Sequence, residues 1–214
     1  MNLSIADLRQ NYTLDGLREE EAELNPMKQF KLWLQQAIAS QLPEPNAMSL
    51  ATLNSEGKPV ARMVLLKHFD EQGFVFFTNY HSQKGQQLDQ NPWAALVFWW
   101  VELERQVRIE GQVTKATPEE SDIYFYSRPR ESQIGAWVSE QSQVIGSRAV
   151  LEQRFQELQQ KYQGQVIPRP THWGGFRVIP SQIEFWQGRP SRLHDRLRYQ
   201  HLEDGSWLRE RLAP

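Results

Sequence analysis

From residue 47 onward, apolar residues recur at every second position in short runs, and tight polar turns separate the runs. A period of two predicts strands, and such short connections predict a mostly antiparallel β core, consistent with a barrel. The runs are 47–53, 59–67, 73–78, 93–101, 106–116 and 174–186, with a last one at 207–212. Ser55-Glu56-Gly57-Lys58 reads as the hairpin turn between the first two. In 106–116, Val107, Ile109 and Val113 alternate with polar neighbours, and in 174–186 the apolar set is Phe176, Val178, Ile183 and Phe185.

Helical spacing surrounds this β pattern. Asn25-Pro26 is a helix start, an N-cap residue followed by proline at the first helical position. Phe30, Trp33, Leu34, Ala37 and Ile38 then predict one amphipathic helix to about Gln41, before Pro43 and Pro45. A short helix is expected over 82–90, closed by Asn91-Pro92. Thr117-Pro118-Glu119-Glu120 opens another, which carries Tyr124 and stops near Ser127-Arg128-Pro129. A helical turn over 131–138 and a polar amphipathic helix over 147–162 complete the set. Residues 1–25 are polar and acidic and read as a mobile arm. The expected organisation is therefore this arm (1–25) and a single domain (26–214), mainly β with flanking helices in the α+β class.

Composition narrows the function. A length of 214 residues with 39% hydrophobic and 23% charged residues has the balance of a globular chain with a sizeable core. A net charge of −2 offers no global basic field for nucleic acid. The absence of cysteine excludes disulfides, thiolate nucleophiles and Cys-based zinc sites. His68, His81, His172, His194 and His201 lack metal-ligand spacing, so no metal is expected. There is no Rossmann or Walker loop and no Gly-x-Ser-x-Gly elbow. With neither a signal-like N-terminus nor a stretch of roughly 20 apolar residues, a cytoplasmic location away from membranes is expected.

Four segments combine cations with hydroxyls and aromatics. In Arg62-Met63-Val64-Leu65-Leu66-Lys67, two cations bracket an apolar strand, which suits an anion at one end or simply an edge strand with cationic gatekeepers. In Phe77-Thr78-Asn79-Tyr80-His81-Ser82-Gln83-Lys84-Gly85, a strand meets a helix start, and free backbone N–H groups beside Ser82 and Lys84 make either a phosphate site or an ordinary N-cap. Tyr124 and Arg128 are four apart and share a helix face, while Ser132 either caps the next turn or converges with Arg128 on one phosphate. In the segment from Trp186 to Arg196, Arg192 and His194 face together if the chain is extended, and His194 is placed to orient a heteroaromatic ring.

In combination the stretches RMVLLK, SRPRESQIGAWVS, EFWQG and RLHDR closely resemble the pyridoxine/pyridoxamine 5′-phosphate oxidase family, and the resemblance covers essentially the whole chain. It implies an FMN-binding split β-barrel that works as a homodimer with flavin at the subunit interface. It implies oxidation of pyridoxamine or pyridoxine 5′-phosphate by O2 to pyridoxal 5′-phosphate, with release of H2O2 and, from the amine, ammonia. By this resemblance FMN meets Arg62, Met63, Val64, Leu65, Leu66, Lys67, Phe77, Thr78, Gln83, Lys84, Gln106, Gln141, Ser142, Trp186 and Arg196. Its phosphate would lie with Arg62, Lys84 and Ser142, and its ring with Gln106, Trp186 and the strand around Val64. The substrate phosphate would be gripped by Lys67, Tyr124, Arg128 and Ser132, and the pyridine ring held by Arg192, Leu193 and His194. Arg9, Gln10, Asn11 and Tyr12 resemble the family's lid, which excludes water over bound substrate. Gln83 stands where the family usually has Arg, and Phe77 where it often has Tyr, so altered FMN affinity is expected rather than altered chemistry. A flavin reductase of the same barrel class and a non-catalytic binder of FMN or pyridoxal phosphate are the competing readings. The paired Tyr124/Arg128/Ser132 and Arg192/His194 sets argue against the first.

Overall fold

The structure is a computed structural model and describes residues 11–214. Five helices and nine strands follow one another along these residues: α1 (Pro26–Ala39), β1 (Ala47–Leu53), β2 (Pro59–Leu65), β3 (His68–Asp70), β4 (Gly73–Asn79), α2 (Gln83–Gln90), β5 (Trp93–Trp100), β6 (Arg105–Lys115), α3 (Pro118–Ser127), α4 (Arg130–Val138), α5 (Arg148–Lys161), β7 (Trp173–Gln187), β8 (Asp195–His201) and β9 (Trp207–Arg211). The class is mainly β with flanking helices, as the period-two runs predict. Among the described residues no helix is long and apolar enough to cross a membrane.

The strands hydrogen-bond in the order β2-β1-β5-β6-β7-β4-β3, with β8 on β7 and β9 on β8. β7 serves two partners on one edge. Residues 173–178 pair antiparallel with β4, and 182–187 pair antiparallel with β8. Between them stands Pro180, which has no N–H to give a ladder, so the change of partner falls where the backbone can spare a donor. β2 lies at the end of the order.

Two compact units divide the chain. The first comprises residues up to Ser49, Ala95–Glu110 and Pro180–Pro214; the second comprises Leu50–Ala94 and Gly111–Ile179. In the first, Asn25 caps α1 by accepting from the N–H groups of Met27 (2.7 Å) and Lys28 (3.2 Å), with Pro26 at the first helical position. The helix buries Phe30, Trp33 and Ala37. Phe30 packs on Phe98 at 5.1 Å between ring centroids, Trp33 on Phe185 at 5.2 Å, and Phe185 on Tyr199 at 5.6 Å. Removing each of these large side chains from water contributes about 1.5–3 kcal/mol.

In the second unit, β4 is buried at nearly every position and packs Phe76 on Phe176 at 5.9 Å. Arg177, itself buried, is held between Asp70 (2.5 Å) and Glu120 (2.6 Å). A smaller core joins Phe125, Ile134, Val138, Tyr162 and Trp173, with Leu151, Phe155 and Leu158 of α5 leaning on it.

Several boundaries depart from the sequence reading. The run expected to continue to Lys67 leaves the sheet after Leu65, and His68–Asp70 then pairs with β4 as a short strand of its own. β8 was not expected, because its two apolar residues, Leu197 and Tyr199, are too few to show a period; they are the buried positions of the strand. Pro129, not Ser132, stands at the N-cap of α4. The Arg192 region is a tight turn over Pro190–Arg192, with φ of 58° at Ser191 and 61° at Arg192, so it is not the extended segment that would align Arg192 with His194.

Candidate active site: a cationic cavity walled by aromatic rings

A cavity of about 290 Å3 lies within the second unit. Its wall is assembled from distant parts of the chain: Met63, Val64 and Leu65 of β2, then Lys67; Phe77 and Thr78 of β4; Lys84 of α2; Tyr124 of α3; Arg128 at the end of that helix; Gln141 after α4; and Trp173 at the start of β7. Met63, Val64 and Leu65, three consecutive residues of β2, all line it, and β2 stands at the end of the strand order among the described residues.

The capping box of α3 sets the helix in register. Thr117 accepts from the N–H of Glu120, and the Glu120 carboxylate accepts from the N–H of Thr117. One turn apart at its far end, Tyr124 and Arg128 then reach the same wall. Phe77, Tyr124 and Trp173 are near-parallel, with Phe77 4.1 Å from Tyr124 and 5.6 Å from Trp173. The Arg128 guanidinium sits 4.6 Å from the Trp173 ring centre, and Lys67 Nζ 5.9 Å from that of Tyr124.

Nη1 of Arg128 is buried and has no hydrogen-bond partner. A buried cationic N–H without an acceptor is costly, and on a cavity wall it is a donor that a bound group can satisfy. Lys84 Nζ donates to Gln141 Oε1 (2.9 Å) and Thr78 Oγ1 (3.3 Å). Beside it, Arg62 donates to Thr52 Oγ1 (2.6 Å), Gln87 Oε1 (2.8 Å) and the Leu50 carbonyl (3.3 Å). Burial, and after it the charge of Arg62, lowers the Lys84 pKa, and burial lowers those of Arg62 and Arg128. Among the described residues, none of Arg62, Lys67, Lys84 and Arg128 pairs with a carboxylate. Arg62 and Lys84 are held by neutral oxygens, and Lys67 and Arg128 face aromatic rings, a set of cations suited to an anion rather than to a metal ion.

A second cluster belongs to the first unit. Trp186 and His194 lie 4.6 Å apart, and Tyr12 meets both edge-on at 5.7 Å. His194 Nδ1 accepts from the N–H of Arg189 (3.1 Å), which leaves the ring proton on Nε2. Burial, then the neighbouring charge of Arg192, lowers the His194 pKa. Two carboxylates hold the arm through its backbone. Glu104 accepts from Thr13 N–H (3.0 Å) and Leu14 N–H (3.2 Å), and Asp195 accepts from Leu17 N–H (3.1 Å). Arg211 bridges Asp195 (2.7 Å) to Glu19 (2.5 Å), and this ion pair brings the Glu19 carboxyl down to about 2. At Gly188 an added Cβ would stand 2.7 Å from Cγ of Tyr12, so the glycine admits that ring.

The expected site residues therefore distribute unevenly. Met63, Val64, Leu65, Lys67, Phe77, Thr78, Lys84, Tyr124, Arg128 and Gln141 share the cavity, with Arg62 adjoining Lys84. Leu66 is buried in the core, Gln83 and Ser142 are exposed, and Ser132 on α4 is not part of the cavity wall. Trp186, His194 and Tyr12 form the second cluster, whereas Arg196 is tied to the buried Glu184 at 2.8 Å and to the Ala213 carbonyl. Gln106 is half-buried on β6, Arg192 and Leu193 are exposed, and Asn11 is exposed on the arm. Arg9 and Gln10 lie outside the described residues. Sequence reasoning passed over Trp173, Glu104, Thr52 and Gln87. A clue was available for Thr52 alone, a polar residue inside an apolar strand.

Comparison with known proteins identifies the family. Residues 34–162 match the family model described as pyridoxamine 5′-phosphate oxidase, and 173–214 match the pyridoxine 5′-phosphate oxidase C-terminal dimerisation region. The chain is 67% identical to the pyridoxine/pyridoxamine 5′-phosphate oxidase of Trichormus variabilis over the full length of both, and 64% identical to that of Synechocystis over 99% of each. Among solved structures, PhzG from Burkholderia lata in complex with tetrahydrophenazine-1-carboxylic acid superposes with a TM-score of 0.88 at 30% identity, covering 94% of this chain and 99% of that one. A pyridoxamine 5′-phosphate oxidase-related, FMN binding protein from Nostoc punctiforme shares the fold, with a TM-score of 0.72 at 18% identity over 90% of this chain and 99% of that one. With two family models spanning most of its length and full-length relatives at this identity, the chain belongs to the pyridoxamine 5′-phosphate oxidase family.

Proposed function

We propose that this chain is an FMN-dependent oxidase that converts pyridoxamine 5′-phosphate and pyridoxine 5′-phosphate to pyridoxal 5′-phosphate, using O2, in the cytoplasm. The observation that carries the reading is the orphaned Nη1 of Arg128 beside Lys67, in a cavity walled by parallel rings. A phosphorylated aromatic substrate matches both features, an anion for the cations and a flat face for the rings.

The donor set also fits FMN. Arg62 and Lys84 are two adjacent cations without a carboxylate, as a phosphate monoester requires, and the free edge of β2 offers backbone donors and acceptors for the polar rim of a planar ring. When bound, FMN supplies two-electron oxidation at the C4′ carbon of the substrate, with O2 as final acceptor, H2O2 as by-product and ammonia released from the amine. The chain's own task is positioning. Lys67, Tyr124, Arg128 and Ser132 hold the substrate phosphate. Arg192, Leu193 and His194 orient the pyridine ring, with Nε2–H of His194 available to donate. Gln106, Gln141, Ser142 and Trp186 complete the flavin contacts; Arg196, expected among them, has its guanidinium bonded to Glu184 and to the Ala213 carbonyl instead. The segment 1–25, including Arg9, Gln10, Asn11 and Tyr12, acts as the lid over one flavin-binding domain, 26–214. The anchoring of residues 13–17 by Glu104 and Asp195 supports a seat for that lid. Two copies form a homodimer with flavin at the interface, a reading supported by the matched dimerisation region and by large exposed side chains such as Met63 (66%) and Trp93 (52%).

The deciding experiment supplies FMN-loaded protein with pyridoxamine 5′-phosphate in air and follows aldehyde and peroxide together. Equal amounts of both support the oxidase. Tight flavin binding without product from either the amine or the alcohol would leave a binding protein.

The lowered His194 pKa sets a pH dependence. A depressed pKa keeps the ring neutral at pH values where a free imidazole, at 6.5, is already half protonated. The expected acid limb of kcat/KM is centred below pH 6.5, and His194→Asn lacks that limb. A limb centred above 6.5 in the native enzyme contradicts the assignment.

A further inference from the structure

We propose that Gln87 and Thr52 are positioning residues that hold the guanidinium of Arg62 by neutral oxygens only, and that their neutrality makes the site select a flavin bearing a phosphate ester over the same flavin without one. The inference rests on the flavin reading above and deepens it.

The three side chains form a closed network. The Thr52 hydroxyl donates its one proton to Gln87 Oε1 at 2.7 Å, so its lone pairs face Arg62, whose Nη1 donates to it at 2.6 Å. Gln87 Oε1 accepts a second bond from Nη2 of Arg62 at 2.8 Å. Both acceptors are almost fully buried, Thr52 at 3% and Gln87 at 4% exposure. The Arg62 fork is thereby fixed, and its position beside Lys84 is fixed with it.

This differs from how the chain treats several other partly buried arginines. Arg177 is flanked by Asp70 and Glu120, Arg196 by Glu184, and Arg211 by Glu19 and Asp195. A carboxylate at position 87 would meet the same two donors, because glutamate has the shape of glutamine. Two half-buried cations, Arg62 and Lys84, thus have oxygen acceptors but no carboxylate partner among the described residues, Lys84 being held by Thr78 and Gln141. Their mutual repulsion is relieved only by an incoming anion, and a fixed carboxylate would remove that demand.

The test compares FMN and riboflavin, which differ by the phosphate, in titrations of the apoprotein followed by quenching of flavin fluorescence. In Gln87→Glu the FMN dissociation constant is expected to rise by about 10- to 100-fold, the scale of one charge-assisted contact. Riboflavin affinity is expected to stay within about twofold and the thermal midpoint of the apoprotein to stay level or rise, since a buried arginine gains a counter-ion. Thr52→Val is expected to weaken FMN in the same selective way, and Thr52→Ser, which keeps the hydroxyl, to restore it. Native preference for FMN that survives intact in Gln87→Glu overturns the proposal, as does an equal loss of both flavins, which would make these residues merely structural. Native protein that binds neither flavin overturns the functional reading itself, a different result.

Discussion

In Arg128→Ala, kcat/KM for pyridoxamine 5′-phosphate falls by about 100- to 1,000-fold. Nη1 of Arg128 is one of two buried side-chain donors without a partner among the described residues, the other being Nε of Arg198, and the Arg128 guanidinium is held by the Trp173 face rather than by an acid. A charge-assisted bond to a phosphate is worth about 1.5–3 kcal/mol, and truncating one partner of a desolvated charged pair costs about 2–5 kcal/mol. At about 1.36 kcal/mol per factor of ten, the middle of that range gives the stated loss. The decisive control is pyridoxamine without its phosphate. Native and variant proteins should turn it over at the same low rate, because the contact that was lost never existed for it. Arg128→Lys should recover only part of the loss, since an ammonium lacks the planar fork and stacks less well on Trp173. A loss that is equal for phosphorylated and unphosphorylated substrates would show that Arg128 supports the wall and does not bind the phosphate.

Gly85→Ala is expected to cost about 1–3 kcal/mol of stability and to raise the FMN dissociation constant by more than about tenfold. An added Cβ would stand 2.2 Å from the Tyr80 carbonyl oxygen and 2.6 Å from its carbon. Backbone cannot swing aside as a side chain can. Tyr80 is moreover pinned at both ends, its N–H donating to the His172 carbonyl at 2.7 Å and its hydroxyl to that of Gly175 at 3.2 Å. The start of α2 must therefore move, carrying Lys84 and breaking the bond from Gly85 N–H to the Ser82 cap. Gly135 on α4 is the matched control, because an added Cβ meets nothing within 4 Å. Alanine there should be neutral or slightly stabilising in thermal unfolding. If Gly85→Ala binds FMN as the native protein does, the first turn of α2 does not set the flavin phosphate grip.

Much of the fold was legible because local rules and tertiary packing agree. The Asn25-Pro26 and Thr117-Pro118 starts are honoured as caps, and the alternating runs become strands within a residue or two of their expected ends. The elements that escaped are those whose cause is not local. β8 owes its existence to the ladder it makes with β7, register Gln182 opposite Gln200 through Gln187 opposite Asp195, and its own polar residues gave no period. The end of β2 at Leu65 follows from Lys67 N–H donating instead to the Val75 carbonyl at 2.9 Å.

The candidate site divides along the same line. The residue types and their short spacings were determined by the sequence: Tyr124 with Arg128 one helical turn apart, Ser82 as a cap beside Lys84, and cations in Arg62 to Lys67. These depend on covalent neighbours and on the period of a helix or strand, which a chain carries wherever it is placed. Only the tertiary structure decided that Trp173 closes the ring wall, that Arg128 keeps a free buried donor while Arg196 spends its charge on Glu184, and that Gln87 rather than an acid holds Arg62. Whether an arginine is free for a ligand depends on which groups approach it from elsewhere in the chain, as Gln87 approaches Arg62 from 25 positions away and Glu184 approaches Arg196 from 12. That is a matter of packing and of which partner stands within hydrogen-bond reach, and no local spacing encodes it.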